Sequence, residues 1–362
     1  MRAEDTDQDA PAGPRPRIVT VFNQKGGVGK TTTAVNIAVC LAAFGRRVAL
    51  IDLDSQSNAT TNLGVTPPVA TGAYHLLTGR ATFDEALRPT PYDGLRLVGG
   101  SDELAWADIE LALGEQPEAA LTRALAKVPD GLEVIVVDCP PAPGIVSVTA
   151  LVAADAVVMP VMPSPHALDG LHKAWWNVNR VRAKFNQGLG GINILLTMTE
   201  DGETTKRLSE DIIAEFGPRV MPVLVPRDPV VIEAADRDLP VAVLASGSAP
   251  ARAYVRVAEL LLDRTGGSAE ARDAARARLD QWHEGVPPAA APVVRVGGPG
   301  KPPDPGWTRD ARLTAIEAAA ITEPPLPGSR VIQAVLWMTV GAVLGAALAV
   351  AVLKGPDLPF PV

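Results

Sequence analysis

Asn23-Gln24-Lys25-Gly26-Gly27-Val28-Gly29-Lys30-Thr31-Thr32 is the stretch on which the reading of this chain turns. Directly before it runs Ile18-Val19-Thr20-Val21-Phe22, apolar and β-branched. Directly after it, residues 33–43 are rich in Ala, Val and Leu and have helical character. Strand, glycine loop and helix in that order form the context of a phosphate-binding P-loop. Glycines let successive backbone N–H groups turn inward around an anion, and the helix N-terminus adds the positive end of its dipole. The expected cradle is therefore Gly26, Gly27, Val28, Gly29, Lys30, Thr31 and Thr32, with ATP and Mg2+ as its ligands. Lys30 is placed to reach the terminal phosphates, and the Thr31 hydroxyl to ligate the metal.

Working outward, short apolar runs alternate with helix-like stretches, and the pattern predicts strands over 18–22, 47–52, 95–99, 134–138, 156–161, 193–198 and 220–225. Most are apolar nearly throughout, as strands are when helices cover both sheet faces. The fold class expected is α/β, a doubly wound and mainly parallel sheet of P-loop NTPase type. Two of these strands end in acids. Leu50-Ile51-Asp52-Leu53-Asp54-Ser55-Gln56-Ser57-Asn58-Ala59-Thr60 carries two carboxylates at alternate positions. Val134-Ile135-Val136-Val137-Asp138-Cys139-Pro140-Pro141 has the Walker B arrangement, in which Asp138 binds Mg2+ through water. Strand C-terminal ends are where such sheets bind ligands.

The chain of 362 residues is 47% apolar and carries a formal charge of −8, which argues against a generally basic surface but leaves room for a local basic patch. Cys40 and Cys139 are too few for a disulfide framework or a four-cysteine metal site, and read as reduced, buried residues. Residues 1–16 read as a disordered leader with no apolar core of signal-peptide type. The ATPase domain is expected over 17–264. A linker dense in Pro, Gly and Ala, with a charged Ala/Arg-rich helix at its start, follows over 265–330. Residues 331–353 form a run of 23 without one ionisable side chain. As a helix of about 34 Å they suffice to cross a bilayer. Arg330 and Lys354 bracket the run and Trp337 sits near one end, so a transmembrane helix is expected, with 354–362 as a short extracytoplasmic tail.

Gln24 stands where the general P-loop pattern has glycine, and Lys25 precedes the glycine pair. In this the loop resembles the deviant Walker A loop of the ParA/MinD family of ATPases. The resemblance covers about 17–264. It implies that Lys25 crosses a dimer interface to the partner's nucleotide, that Asp54 orients or activates the attacking water, and that Asp52 helps hold the metal shell. Ser55 and Cys139 depart from the family's usual proline and threonine. His166 falls in a loop where the family usually carries an aromatic or other residue, and is read as structural. Residues 195–198 and Val225-Pro226-Arg227-Asp228 resemble segments that approach the adenine, with Asp228 replacing an asparagine, so Pro226 and Arg227 are expected at the nucleotide.

By the same resemblance the protein is an ATP-hydrolysing dimeric switch that partitions or positions a cargo, DNA or a membrane-associated assembly, working with an activating ParB-like or cargo-adaptor protein. With the anchor, it is expected at a bacterial inner membrane as a single-pass protein whose ATPase domain is cytoplasmic. Candidate contacts for non-specific DNA are Arg180, Arg182, Lys184, Lys206, Arg207, Arg252 and Arg256. Against them stand Glu200, Asp201 and Glu203, and the lack of a second arginine after Arg227. The alternative is a MinD-like, nucleotide-gated recruitment platform for protein partners without DNA binding. Cluster-ligating cysteines and a C-terminal tyrosine cluster, which other relatives need, are missing from this sequence.

Overall fold

The computed structural model describes residues 15–262 and 268–285. The expected membrane helix over 331–353, its tail and most of the linker and leader lie outside the described residues. Among the described residues, no helix is long and apolar enough to cross a membrane.

The strands, in chain order, are β1 (Arg17–Val21), β2 (Val48–Asp52), β3 (Leu87–Pro89), β4 (Leu95–Val98), β5 (Val134–Asp138), β6 (Ala156–Val161), β7 (Gly191–Thr199) and β8 (Val220–Pro226). They form one sheet in the order β3-β4-β2-β5-β1-β6-β7-β8. Every pairing is parallel except that of β3 with β4. The short edge strand β3 was not expected. Three residues ending in Pro89 are too few to carry a pattern, and proline is tolerated only where no ladder donor is needed.

Alternation along the strands divides the core in two. Ile18, Ile51, Val137 and Met159 face one layer, which includes the helices Leu104–Ala112, Ile145–Ala153 and Ala167–Lys184. Val19, Leu50, Val136 and Val158 face the other, built on the helices Lys30–Ala43 and Ala249–Leu262. With both faces covered, β2, β5 and β6 are buried throughout, which is why their sequences read as continuous apolar runs. Chain order reverses at β1, which lies between β5 and β6. The loop leaving β1 therefore opens at the topological switch point of the sheet.

Packing continues past residue 264. The helix Ala269–Gly285 packs on the same body, burying Ala275 and Leu279 and setting Trp282 against Tyr92 at 5.5 Å. Arg278 Nη1 donates to the carbonyls of Ala43 (3.1 Å) and Ala42 (3.4 Å), capping the C-terminal end of Lys30–Ala43. Its alanine- and arginine-rich composition conceals a narrow apolar stripe, which only the packing makes evident.

Candidate nucleotide site

The loop after β1 is held in shape before any ligand enters. Asn23 donates from Nδ2 to the Pro160 carbonyl (2.8 Å) and accepts the Lys25 N–H at Oδ1 (3.0 Å), fastening the loop to β6. The Thr197 hydroxyl donates to the Val28 carbonyl (3.0 Å) from β7. Gly27 (φ +71°) and Gly29 (φ +83°) occupy the left-handed region, which costs other L-residues about 1–2 kcal/mol. A Cβ at Gly27 would meet no protein atom within 4 Å, so backbone conformation and not crowding requires glycine there. Helix Lys30–Ala43 begins at Gly29, and the 14-residue helix is buried along nearly its whole length.

Lys30 is 7% exposed and donates from Nζ to the Lys25 carbonyl (3.0 Å). Burial lowers its pKa, and the nearby Asp138 and Asp54 oppose that shift. Lys25 turns elsewhere: its Nζ donates to Ser164 Oγ (3.1 Å) on the loop after β6.

β2 and β5 pair in a register that sets Asp52 beside Asp138. The two buried acids are not equivalent. Asp52 Oδ2 accepts the N–H (2.9 Å) and hydroxyl (2.7 Å) of Thr60, and its Oδ1 accepts the Asp54 N–H (3.1 Å). Thr60 Oγ1 in turn accepts the Gly100 N–H at 2.8 Å. Asp52 thus organises the loop that carries Asp54, and burial lifts its pKa to about 6. Asp54, half-buried, accepts the Gln56 N–H (3.0 Å).

Asp138 is fully buried, and neither carboxylate oxygen has a hydrogen-bond partner. Burial and then Asp52 push its pKa well up, and a marginal contact from the Thr31 hydroxyl and the charge of Lys30 only partly oppose the shift. An orphaned buried carboxylate is costly unless something charged completes it. The donor set of Thr31, Asp138 and, behind them, Asp52 is all oxygen, as Mg2+ requires. The residues therefore fit the metal. A folded-state pKa above the unfolded value of 3.8 means that ligand-free stability falls as pH rises from that value through the raised one. The penalty grows across that whole interval and is complete only above the raised pKa. Asp138→Asn should accordingly raise the melting temperature of the ligand-free protein by about 2–4 °C per kcal/mol recovered. The same substitution should abolish the further rise that Mg-ATP produces. Calorimetry checks both, and a lower ligand-free Tm would mean that Lys30 already compensates the charge.

Beside the loop a cleft of about 1000 Å³ opens at the C-terminal ends of the paired strands β7 and β8, lined by Gly29, Thr32, Met198, Pro226 and Arg227. The expected adenine-side residues Pro226 and Arg227 thus share one cleft with the glycine loop. Arg227 is engaged with Glu200 (2.6 Å), and Asp228 caps helix Pro229–Asp236 by accepting the Val230 N–H (3.0 Å). His166 is exposed, and its imidazole faces Asp169 at 3.5 Å. Both cysteines are buried and free, their thiols pushed up by burial. Among the DNA candidates, Arg256 pairs with buried Glu259, Arg252 donates to the Gly247 carbonyl, and Arg180 lies 5.0 Å over the Trp176 ring. Sequence reading missed Asn23, Thr60, Gly100 and Thr197. Asn23, Thr60 and Thr197 stood inside stretches already singled out without a role of their own, and no local signal marked Gly100.

An anion cradle opening a helix, with lysine beneath it and a free buried carboxylate on the next strand, defines a P-loop nucleotide hydrolase. Comparison with known proteins narrows this. A family model described as an AAA domain matches residues 16–190. The chain is 35% identical over 246 residues to the sporulation initiation inhibitor protein Soj of Bacillus subtilis, covering 67% of this chain and 97% of Soj. It is 39% identical over 250 residues to the chromosome-partitioning ATPase Soj of Thermus thermophilus, covering 68% and 96%. Among solved structures it is similar to cobyrinic acid a,c-diamide synthase from Mycobacterium smegmatis with a bound ATP analog and magnesium. The TM-score is 0.60 at 30% identity, over 69% of this chain and 96% of that one. The chain belongs to the ParA/Soj family of partitioning ATPases. About a third of it lies outside the match to Soj.

Proposed function

We propose that this ATPase is a dimeric switch, driven by ATP and Mg2+ and held at a bacterial inner membrane, that partitions or positions a cargo. The observation that carries the nucleotide chemistry is Asp138, buried with both oxygens free beside Lys30 and Thr31. Lys30 and the N–H groups of residues 26–32 hold the phosphates, with Pro226 and Arg227 toward the base. Thr31 and Asp138, with Asp52 behind them, would hold Mg2+, which when bound would neutralise charge on the phosphate oxygens. Asp54 orients the attacking water.

Dimerisation is supported by Lys25, which is directed to Ser164 rather than into its own cradle. A lysine so placed is available to an anion across a two-fold interface. Lys25→Ala should keep most of its monomeric nucleotide affinity but lose ATP-dependent dimerisation and turnover, read by light scattering and phosphate release. The same ATP-loaded parent dimer, mixed with plasmid DNA and sedimented, separates two cargo classes. Co-sedimentation supports DNA. A dimer left in the supernatant favours recruitment of protein partners without DNA. That second reading is supported by the base-side cleft, where Glu200 neutralises Arg227 and Ile213, Leu224 and Ile232 are exposed.

Membrane anchoring rests on the uncharged run at 331–353. In this reading the ATPase domain is cytoplasmic and residues 354–362 lie beyond the span. The full-length chain should remain in the membrane fraction through carbonate and high-salt washes, and its release by either wash would remove the span. An activating ParB-like or cargo-adaptor protein is the partner class that fits a slow, stimulated ATPase.

A further inference from the structure

The helix Leu104–Ala112 is apolar on both of its faces. Leu104, Ala107 and Leu111 are buried in the core. On the opposite side Ala105, Trp106, Ile109, Ala112 and the following Leu113 form a second stripe at helical spacing, all of it exposed. Trp106 and Ile109 are each 59% exposed and Leu113 is 86% exposed. A helix apolar all round belongs inside a protein, and on a surface such a stripe marks a place that another molecule covers.

The surrounding charge identifies the kind of molecule. Residues 102–118 contain six carboxylates, Asp102, Glu103, Asp108, Glu110, Glu115 and Glu118, and not one Lys or Arg. Arg80 is paired with Glu110 (2.7 Å) and Asp108 is taken up by the Val146 N–H, so the remaining carboxylates form the rim, which repels nucleic acid and an anionic bilayer. It also opposes a second copy of the same face, because an isologous contact would set acid against acid. It suits a partner that is apolar on one side and basic at its edges. The helix is also tied to the segment that follows β5. Asp108 Oδ1 accepts the Val146 N–H (2.8 Å) at the start of helix Ile145–Ala153, shortly after Asp138 in the chain. Gly144 leaves room for this contact, since a Cβ there would fall 2.1 Å from Asp108 Oδ2.

We propose that the exposed stripe Trp106–Ile109–Leu113 is the docking site for an amphipathic helix of a partner protein, with Leu- or Ile-type residues on its apolar face and Lys or Arg along its flanks. Binding of this helix does not depend on the nucleotide reading. The probe is a labelled peptide of about five helical turns, leucine on one face and lysine on the other, titrated by fluorescence anisotropy against the full-length chain. A matched peptide carries glutamate in place of lysine. The lysine peptide should bind and the glutamate peptide should not. Affinity should drop at least about tenfold, or roughly 1.4 kcal/mol, in the variant Trp106→Ser/Ile109→Ser/Leu113→Ser and again in Asp102→Lys/Glu115→Lys. Both variants change exposed positions and should keep the parent's Tm and ATP affinity. Equal binding of the two peptides overturns the charge assignment, and undiminished binding by the serine variant overturns the site. Conversion of a parent dimer to monomer by the serine substitutions, with no peptide present, assigns the stripe to a second copy and overturns it likewise.

Discussion

Lys30→Ala should lose ATP affinity by on the order of a hundredfold or more. A hydrogen bond to a charged group contributes about 1.5–3 kcal/mol, and a lysine on the terminal phosphates makes more than one such contact. Nothing else in the loop can replace it. Lys30 is the buried cation of the cradle, while the other lysine of the loop, Lys25, is held by Ser164. The substitution also removes the positive charge nearest to Asp138, so the ligand-free protein should lose stability at neutral pH as well. Equilibrium titration with a fluorescent ATP analogue reads the affinity, and thermal unfolding without nucleotide reads the fold. A folded Lys30→Ala variant that binds ATP like the parent would displace the site from this loop.

Asp54→Ala should bind ATP and dimerise yet turn over about 100-fold to 1000-fold more slowly, within the range a positioned base contributes. The phosphate cradle does not involve the Asp54 side chain, so binding survives while the water loses its orienting group. Because Asp54 also accepts the Gln56 N–H, alanine loosens the turn that follows. Asp54→Asn keeps an acceptor in that turn but cannot take a proton, and it should be nearly as slow. Phosphate release and light scattering together should reveal a long-lived ATP dimer. Normal turnover in Asp54→Asn would reduce Asp54 to a turn residue.

The cradle was legible in the sequence because its parts are contiguous. β1, the glycines, Lys30, Thr31 and the first turns of the helix follow one another within residues 17–43, and local conformation alone brings them together. Asp52 and Asp138 were legible for a related reason. In a parallel sheet the C-terminal ends of strands lie on one edge, so acids that close apolar runs meet there. Their different characters were not legible. Asp52 is satisfied by Thr60, and Thr60 is braced by Gly100, 40 residues further on, while Asp138 is left bare. That distinction depends on how a loop closes, and no residue spacing encodes it.

Sequence by itself determined the fold class, the strand order's raw material, the anion cradle and the acids around it, because hydrophobic period and glycine placement act within a few residues. The tertiary structure alone decided four further matters. It pinned the glycine loop to β6 through Asn23, across 137 residues, and aimed Lys25 at Ser164. It drew helix Ala269–Gly285 into the ATPase body through Arg278 and Leu279. It left the outer face of Leu104–Ala112 in solvent. Each of these is a contact, or the lack of one, between segments far apart in the chain, and burial is a property of the packed whole that an apolar residue's identity does not reveal.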